Sequence, residues 1–378
     1  MLFTADGFRR AIRRRPALFI GDTAVSGKSR FVESLLMLGV MGARDSRLRE
    51  VSATLASDGA CSVAFDGLPW PTTQGVSPFA ELESWLTFAN VDMAAGPPPG
   101  MPHGIFLQTP CIDLGLLNAL SSPLDVIAWS GEQTWRRTFR EGLPVESPLD
   151  TAPDRVPPSS GAGLRVTLTP DPSIFDPPPG FSWAWLTERL SALSALAPAT
   201  SWRLRDEASG ADVFFRREHG LAGLCAERSA SSRPLHEPWV FTGRAGATDV
   251  DLALQWVEDP ASASILSWAN HEPSPRRGSH HAGLFRGLRT ALRTRRETLG
   301  LPPVSRAFSD TALSERLTVV MSISSSSIVW RGSLMHPLEA PKVRSDVSKL
   351  VRDWMKQTLA SHPKVESELF TLLGVSPS

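Results

Sequence analysis

The stretch from Cys61 to Pro71, Cys-Ser-Val-Ala-Phe-Asp-Gly-Leu-Pro-Trp-Pro, constrains the chain more than any other. Val63 and Phe65 alternate with smaller or polar neighbours, the period-two pattern of a strand with one buried face. Asp66-Gly67 then breaks the strand, and two prolines keep the next residues out of helix and sheet. Residues 48–55 read as a second strand. Asp58-Gly59 between the two is a turn signal, so an antiparallel hairpin is predicted. A sheet with one apolar face needs helices to cover it. The flanks supply them: residues 31–41 ahead, and residues 75–90 behind, with Phe79, Leu82, Trp85 and Leu86 toward one side.

The remaining chain repeats this alternation. Residues 7–16 predict a short basic helix stopped by Pro16, whose five arginines suit either a solvated face or phosphate contact. A helix is expected over 113–120, a strand pair over 124–129 and 134–139, and a strand over 164–168. Trp183, Leu186, Leu190 and Leu193 recur at helical spacing over 182–196 and read as core positions rather than a cofactor box. Ser209-Gly210 joins 202–205 to 213–217 as a hairpin. Later, Val250, Leu252, Leu254 and Trp256 alternate as a half-buried strand. A helix over 282–296, a strand over 317–323 and a last helix capped by Ser345 follow. That last helix has Val347, Leu350, Val351, Trp354 and Leu359 on its inner face. Residues 94–102 and 143–163 are rich in proline and read as loops. The length of 378 residues suits two domains, and the polar stretch 227–238 is the expected boundary. The domains are thus 1–230 and 231–378.

Charge and composition exclude some classes. With 39 basic and 39 acidic residues the chain has no overall attraction for polyanions, so such binding must come from local patches. The longest apolar run, 35–41, is far too short to span a bilayer. Three cysteines, Cys61, Cys111 and Cys225, are far apart and show no metal spacing. They read as buried reduced thiols of a cytoplasmic protein. The adjacent His280 and His281, with histidines at 219, 236 and 271, lack ligand spacing, and a structural role is expected rather than a metal.

Residues 21–29, Gly-Asp-Thr-Ala-Val-Ser-Gly-Lys-Ser, imitate a phosphate-binding P-loop. Five residues part Gly21 from Gly27 where that motif has four, and an added residue alters the backbone cradle. The same region fits a different pattern better. Arg15-Pro16-x-x-x-Ile20-Gly21-Asp22-Thr23 is followed by Asp66-Gly67-x-Pro69-x-Pro71, Leu117-Asn-Ala-Leu-Ser121 and Arg203-Leu-Arg-Asp206. Leu252-Ala-Leu-Gln-Trp256, Gly278-Ser279-His280-x-Ala282-Gly283 and Ser345-Asp-Val347 come after them. In order and spacing these resemble the ATPase half of the DNA gyrase B protein and its type IIA topoisomerase relatives. The resemblance covers nearly the whole chain. It implies an α+β fold: a Bergerat (GHKL) α/β sandwich followed by a ribosomal-S5-like transducer domain. It also implies that the cleavage domain with which the family continues is not part of this sequence.

The resemblance also says where the nucleotide chemistry should be. In the family a helix carries a glutamate general base and, one turn later, an asparagine that holds magnesium. Counted without gaps from Thr23, these positions fall on Leu35 and Gly39; with a two-residue deletion they fall on Glu33 and Met37. Glu33 is thus the one candidate base, or an ordinary salt-bridged glutamate. Met37 offers a thioether where magnesium wants oxygen. The adenine-binding aspartate falls at Phe65, its threonine companion at Leu164, and the Asp-Gly pair at Asp66 and Gly67, with Pro69 replacing a second glycine. The glycine-rich phosphate loop aligns with 108–113, where Pro110 lacks an N–H and Asp113 would repel phosphate. The transducer lysine falls near Glu339, with Lys342 close by.

Two expectations follow. The favoured one is a catalytically degenerate gyrase-B-like module with no cofactor, acting as a scaffold, DNA-interaction or regulatory protein. The alternative is an ATP-hydrolysing type II topoisomerase subunit with a diverged site, using ATP and magnesium. The resemblance implies a homodimer, duplex DNA and a topoisomerase-type partner subunit as partners, and no membrane. Arg286, Arg289 and Arg293, with Arg296, lie near one face of the predicted helix over 282–296. They are the DNA-contact candidates, or a solvated face.

Overall fold

The computed structural model describes residues 4–44, 48–68, 74–88, 110–145, 161–177, 180–259, 264–270, 272–274, 278–302, 308–328 and 339–375. Contacts divide the chain into two units that part between Glu218 and His219.

The first unit begins with three helices, α1 (Ala5–Arg14), α2 (Ala17–Ile20) and α3 (Val25–Arg44). The hairpin of β1 (Glu50–Leu55) and β2 (Cys61–Asp66) follows, then α4 (Pro78–Thr87) and α5 (Pro110–Leu120). Next come β3 (Ser121–Ser130), β4 (Gln133–Arg140), β5 (Leu143–Val145) and β6 (Ala162–Pro170), and last α6 (Trp183–Leu196), β7 (Ser201–Asp206) and β8 (Asp212–Phe215). The strands make one eight-stranded sheet in the order β5-β4-β3-β6-β2-β1-β7-β8, antiparallel except where β1 runs parallel to β7.

Local chemistry sets these elements. Thr4 caps α1 by accepting from the Gly7 amide at 3.1 Å, and Ser182 caps α6 through the Trp185 amide. Asp58 turns the first hairpin by accepting from the Ala60 amide at 3.0 Å, while Gly59 takes the left-handed backbone that the turn needs. Helix α3 starts six residues ahead of the expected 31 because the Asp22 carboxylate accepts from the amides of Ala24 and Gly27 at 2.8 and 3.0 Å. Two arginines of α1 are structural ties rather than solvated charges. Arg9 reaches Asp6 and the Glu141 carbonyl, and Arg13 reaches the Ala119 carbonyl and Asp171. Burial alone would raise the Asp171 carboxyl, but the Ser173 hydroxyl and amide together with Arg13 outweigh it and hold it below its usual range.

The helix-covered face of the sheet is built of rows that cross the strands. Trp202, Val51, Phe65, Leu164 and Ala128 stand side by side in one. Leu204, Ala53, Val63, Val166 and Val126 form the next, and Leu55, Cys61, Leu168, Leu124 and Phe139 a third. All of these side chains are buried, and each large one contributes about 1.5–3 kcal/mol. Cys61 and Cys225 are free thiols, both pushed up to about 12 by burial and so unreactive. The side chain of Cys111 lies outside the described residues.

The second unit contains α7 (Gly220–Ser229), β9 (Trp239–Ala245), β10 (Thr248–Trp256), β11 (Ile265–Ala269), β12 (Glu272–Pro273) and α8 (Ser279–Thr298). It ends with α9 (Asp310–Ser314), β13 (Leu317–Ser325), α10 (Pro341–Ser361) and α11 (Pro363–Leu372). Its sheet has the order β12-β11-β13-β10-β9. The contacts part at 218/219, twelve residues ahead of the expected 230/231, because Leu224 and Cys225 of α7 are buried and α7 packs on β10 and β13. Two expectations need correction here. That packing also covers the second face of β10, so Ala253 and Gln255 are buried and the strand is not half-exposed. Helix α10 starts at Pro341 and not at a Ser345 cap, proline being suited to a first turn.

Helices α8 and α10 approach through two glycines one turn apart. A Cβ on Gly283 would stand 2.7 Å from the Arg344 carbonyl oxygen, and one on Gly287 2.9 Å from that of Ser348. Backbone on both sides leaves no flexible group to yield. Gly283→Ala and Gly287→Ala should therefore each cost about 1–3 kcal/mol in denaturant unfolding, whereas Gly300→Ala, beyond the helix, should act only through its positive φ.

Candidate functional site

The two positions that the resemblance assigns to the purine are brought together. Phe65 on β2 and Leu164 on β6 are directly opposed, and both are fully buried. Helix α3 crosses the same row: a Cβ on its Gly39 would meet the Trp202 and Val51 side chains at 2.9 Å. Behind the row, Gly163 must stay a glycine because the Trp129 ring lies 2.0 Å from where its Cβ would be. Neither Phe65 nor Leu164 has a hydrogen-bonding group in its side chain, so an adenine amino group would meet no acceptor from them. At this row the residues do not fit the nucleotide.

Glu33 is buried and ion-paired across to α6, its Oε1 lying 2.8 Å from the Nε of Arg189. The guanidinium in turn sits 5.2 Å from the centroid of the Trp185 ring. Leu35 and Met37 are buried among the apolar residues of the core. In neither register does α3 offer the carboxylate and amide, one turn apart, that base and magnesium ligand require. Arg189 carries no signal in the sequence, because its helix shows only the amphipathic pattern and nothing in it points to an acidic partner far back in the chain.

The phosphate side is described only in part. Residues 110–113 belong to the first turn of α5, while residues 108 and 109, Pro69, and the side chains of 110–113 lie outside the described residues. Farther along α5, the Phe88 ring lies against Gly115, where a Cβ would be 2.2 Å from it, and the Asn118 amide donates to the Leu86 carbonyl at 2.9 Å. Both contacts clamp α4 onto α5. The P-loop-like segment is likewise internal in character. The Asp22 carboxylate takes the Gly27 amide and the Ser26 hydroxyl, and the buried Lys28 ammonium donates to the Asp176 carbonyl. Thr23 closes the node on the Asp176 carboxylate at 2.9 Å. An anion at this helix start would have to displace Asp22. Asp66, beyond Phe65, forms a two-toothed pair with Arg49 at 2.8 and 2.9 Å, and Gly67 has the positive φ that the chain needs to leave the strand.

In the second unit Lys342 pairs with Asp346 at 3.5 Å, and Glu339 is exposed just ahead of α10. On α8, Leu284, Leu288 and Leu292 are buried while Arg286 and Arg293 are exposed, as their spacing implies. Arg289 is half-buried and bound to Asp310, and Arg296 pairs with Glu297. His280 and His281 fall inside the first turn of α8 rather than in a loop, and both are buried. Each Nε2 meets the Ser267 hydroxyl, at 3.0 and 2.7 Å. Burial, with repulsion from His281 added, keeps His280 neutral well below its ordinary range. Among the described residues no group of three or more His, Cys, Asp or Glu side chains could hold a metal ion; His271 lies outside them.

The Glu33–Arg189 pair gives a test of the site's present role. Arg189→Met should destabilise the chain by about 3 kcal/mol, since it strands a buried carboxylate, and Glu33→Met/Arg189→Met should recover most of that loss. Chemical denaturation of the four-member cycle would measure it.

Comparison with known proteins agrees with this architecture. The family model for DNA gyrase B matches residues 220–372, almost all of the second unit. The chloroplastic/mitochondrial DNA gyrase B protein of Nicotiana benthamiana is 26% identical over 366 residues, covering 94% of this chain and 49% of that protein. The corresponding B protein of DNA topoisomerase 4 from Staphylococcus aureus is 25% identical, covering 91% of this chain and 51% of its own. The chain thus spans about half the length of the curated relatives it matches. The crystal structure of the DNA gyrase B-subunit from Myxococcus xanthus superposes with a TM-score of 0.78 at 26% identity, covering 97% of this chain and 99% of that one. Two sheets of this order, the spaced motifs and these likenesses support a place for the chain in the type IIA topoisomerase B-subunit family, with the GHKL fold of its ATPase domain.

Proposed function

We propose that the chain is a catalytically degenerate gyrase-B-like module that serves DNA topology as a scaffold, DNA-interaction or regulatory protein, without turning over ATP. The observation that carries this reading is the opposed, fully buried Phe65–Leu164 pair in the row where the family seats its purine. Glu33, bound to Arg189, adds to it. Each buried hydrogen bond lost is worth about 1–3 kcal/mol, and about 1.4 kcal/mol is tenfold in affinity. Loss of the adenine acceptor and the magnesium ligand together therefore weakens nucleotide binding by at least about 30-fold.

In this reading the first unit is the ATPase-derived half and the second the transducer, and the partners are those of the relatives: a second copy, a topoisomerase-type subunit and duplex DNA. The exposed Arg286 and Arg293 on α8 are the contacts proposed for DNA, with Arg289 divided between DNA and Asp310. No helix among the described residues is long and apolar enough to cross a membrane. The names of the plant relatives place those proteins in organelles, and the cytoplasmic assignment rests on the free thiols alone.

Isothermal titration with a non-hydrolysable ATP analogue and magnesium should give no binding heat, and a micromolar dissociation constant would instead favour the ATP-hydrolysing alternative. For DNA, the wild type should bind nonspecific duplex in a salt-sensitive way. Arg286→Ala/Arg293→Ala should lower the slope of log affinity against log salt by about 1.8, near 0.9 per phosphate contact. Absence of wild-type binding at low salt would remove DNA from the proposal.

A further inference from the structure

Between α7 and β9 the chain runs along the end of β10. Leu235 donates to the Trp256 carbonyl, Pro234 bridges Val257, and Glu258 and Asp259 donate to the carbonyls of Arg233 and Ser232. This ladder is out of register with the one beyond it, where Trp239 faces Leu254. At the slip the Trp256 amide finds its acceptor in a side chain, the Nε2 of His236, at 3.1 Å. The other ring nitrogen, Nδ1, lies 2.6 Å from the Glu237 carbonyl, so it carries the proton and Nε2 is the bare acceptor. The His236 carbonyl accepts from Gln255 at 2.7 Å, and Gln255 accepts in turn from Ser229 of α7. The His236 ring also stacks on Trp239, with centroids 3.8 Å apart, and Trp239 has His362 at 5.2 Å.

We propose that residues 232–238 form an acid-released strap, held shut by the neutral His236 ring and opened when Nε2 takes a proton and faces the Trp256 N–H as a second donor. The charged and titratable groups around the ring are Glu237 on the strap, His362 at the α10–α11 junction, and the Arg233–Glu258 pair at 3.3 Å. Arg233, Leu235 and Glu258 also line a cleft of about 430 Å³ against Ser367, Glu368, Thr371 and Leu372 of α11, which gives the strap space to leave the sheet. Burial pulls His236 down to about 4, with His362 opposing its charge and the Glu237 carbonyl partly offsetting both. For a histidine lowered in the closed form, closure is complete above the ordinary value near 6.5 and is lost as pH falls from there toward 4.

Hydrogen exchange on the full chain, corrected for intrinsic rates, tests this. Between pH 6.5 and 4.5 protection of the Trp256 amide and of 232–238 should fall about 40-fold. His236→Gln, which offers an oxygen acceptor that does not titrate, should abolish that dependence. A pH-independent wild type, or an equal fall in the variant, would overturn the strap. Should the variant not fold, ring NMR of wild-type His236 decides: an Nδ1–H tautomer titrating below pH 5 supports it, and a midpoint near 6.5 overturns it.

Discussion

The row Trp202–Val51–Phe65–Leu164–Ala128 is the constraint on which the first unit depends. It lies beneath α3, at the point where Gly39 lets the helix come down onto the sheet. A fold that seats a ligand in such a row must leave polar groups there for the ligand to satisfy, and a carboxylate buried without a partner is strongly destabilising. With phenyl and isobutyl groups in the centre, Phe65 and Leu164 leave no polar side-chain atom there to satisfy, and only the Trp202 Nε1 at the end of the row is buried without a hydrogen-bond partner. The sheet and α3 then hold together at this centre by apolar burial. This is why one pair of residues carries more weight in the proposed reading than any count of absent motifs.

The charged residues nearby fit the same logic. Glu33 and Arg189 join α3 to α6, and Arg13 joins α1 to the end of α5 and to Asp171. Asp22, Thr23, Lys28 and Asp176 make a closed node at the start of α3. In each case a group suited to bind a phosphate or activate a water is engaged by another side chain or by backbone. Pairs of this kind add little net stability over apolar replacements, but losing one partner is expensive. Once formed, they resist piecemeal reversal.

How far the sequence discloses this depends on the range of each interaction. The hairpin of β1 and β2, the helix α6 and the strand β10 follow from local period and turn chemistry, and all lie where the residues place them. The burial of Ala253 and Gln255 on the other face of β10 comes instead from α7 and leaves no local signal. The opposition of Phe65 and Leu164 is legible only through the family resemblance, since two residues about a hundred positions apart have no local signal. Arg189 cannot be found at all, because an ion pair between distant helices leaves no spacing to detect. The start of α3 is hidden because the P-loop imitation draws attention to Gly27 and Lys28, while Asp22, which caps the helix, sits in the signature ahead of them. The position of α7 is obscured for a related reason: its polar C-terminal end resembles a linker, although Leu224 and Cys225 bury it against the second sheet.

On the proposed reading the module does not draw on nucleotide binding, so any rearrangement larger than the local strap release must be driven by its partners. A ligand shifts a conformational equilibrium only by the difference in its affinity for the two states, and a shift from 1:99 to 99:1 takes a preference of about 5.5 kcal/mol. Contacts of the kind proposed for the two exposed arginines on α8, made to phosphate through water and salt, would supply much less than that at physiological ionic strength. In that reading DNA alone is a weak driver. On the proposed reading, the free energy for any large rearrangement comes from a protein surface, either a second copy or a partner subunit, and the arginines set where DNA lies once that surface is engaged.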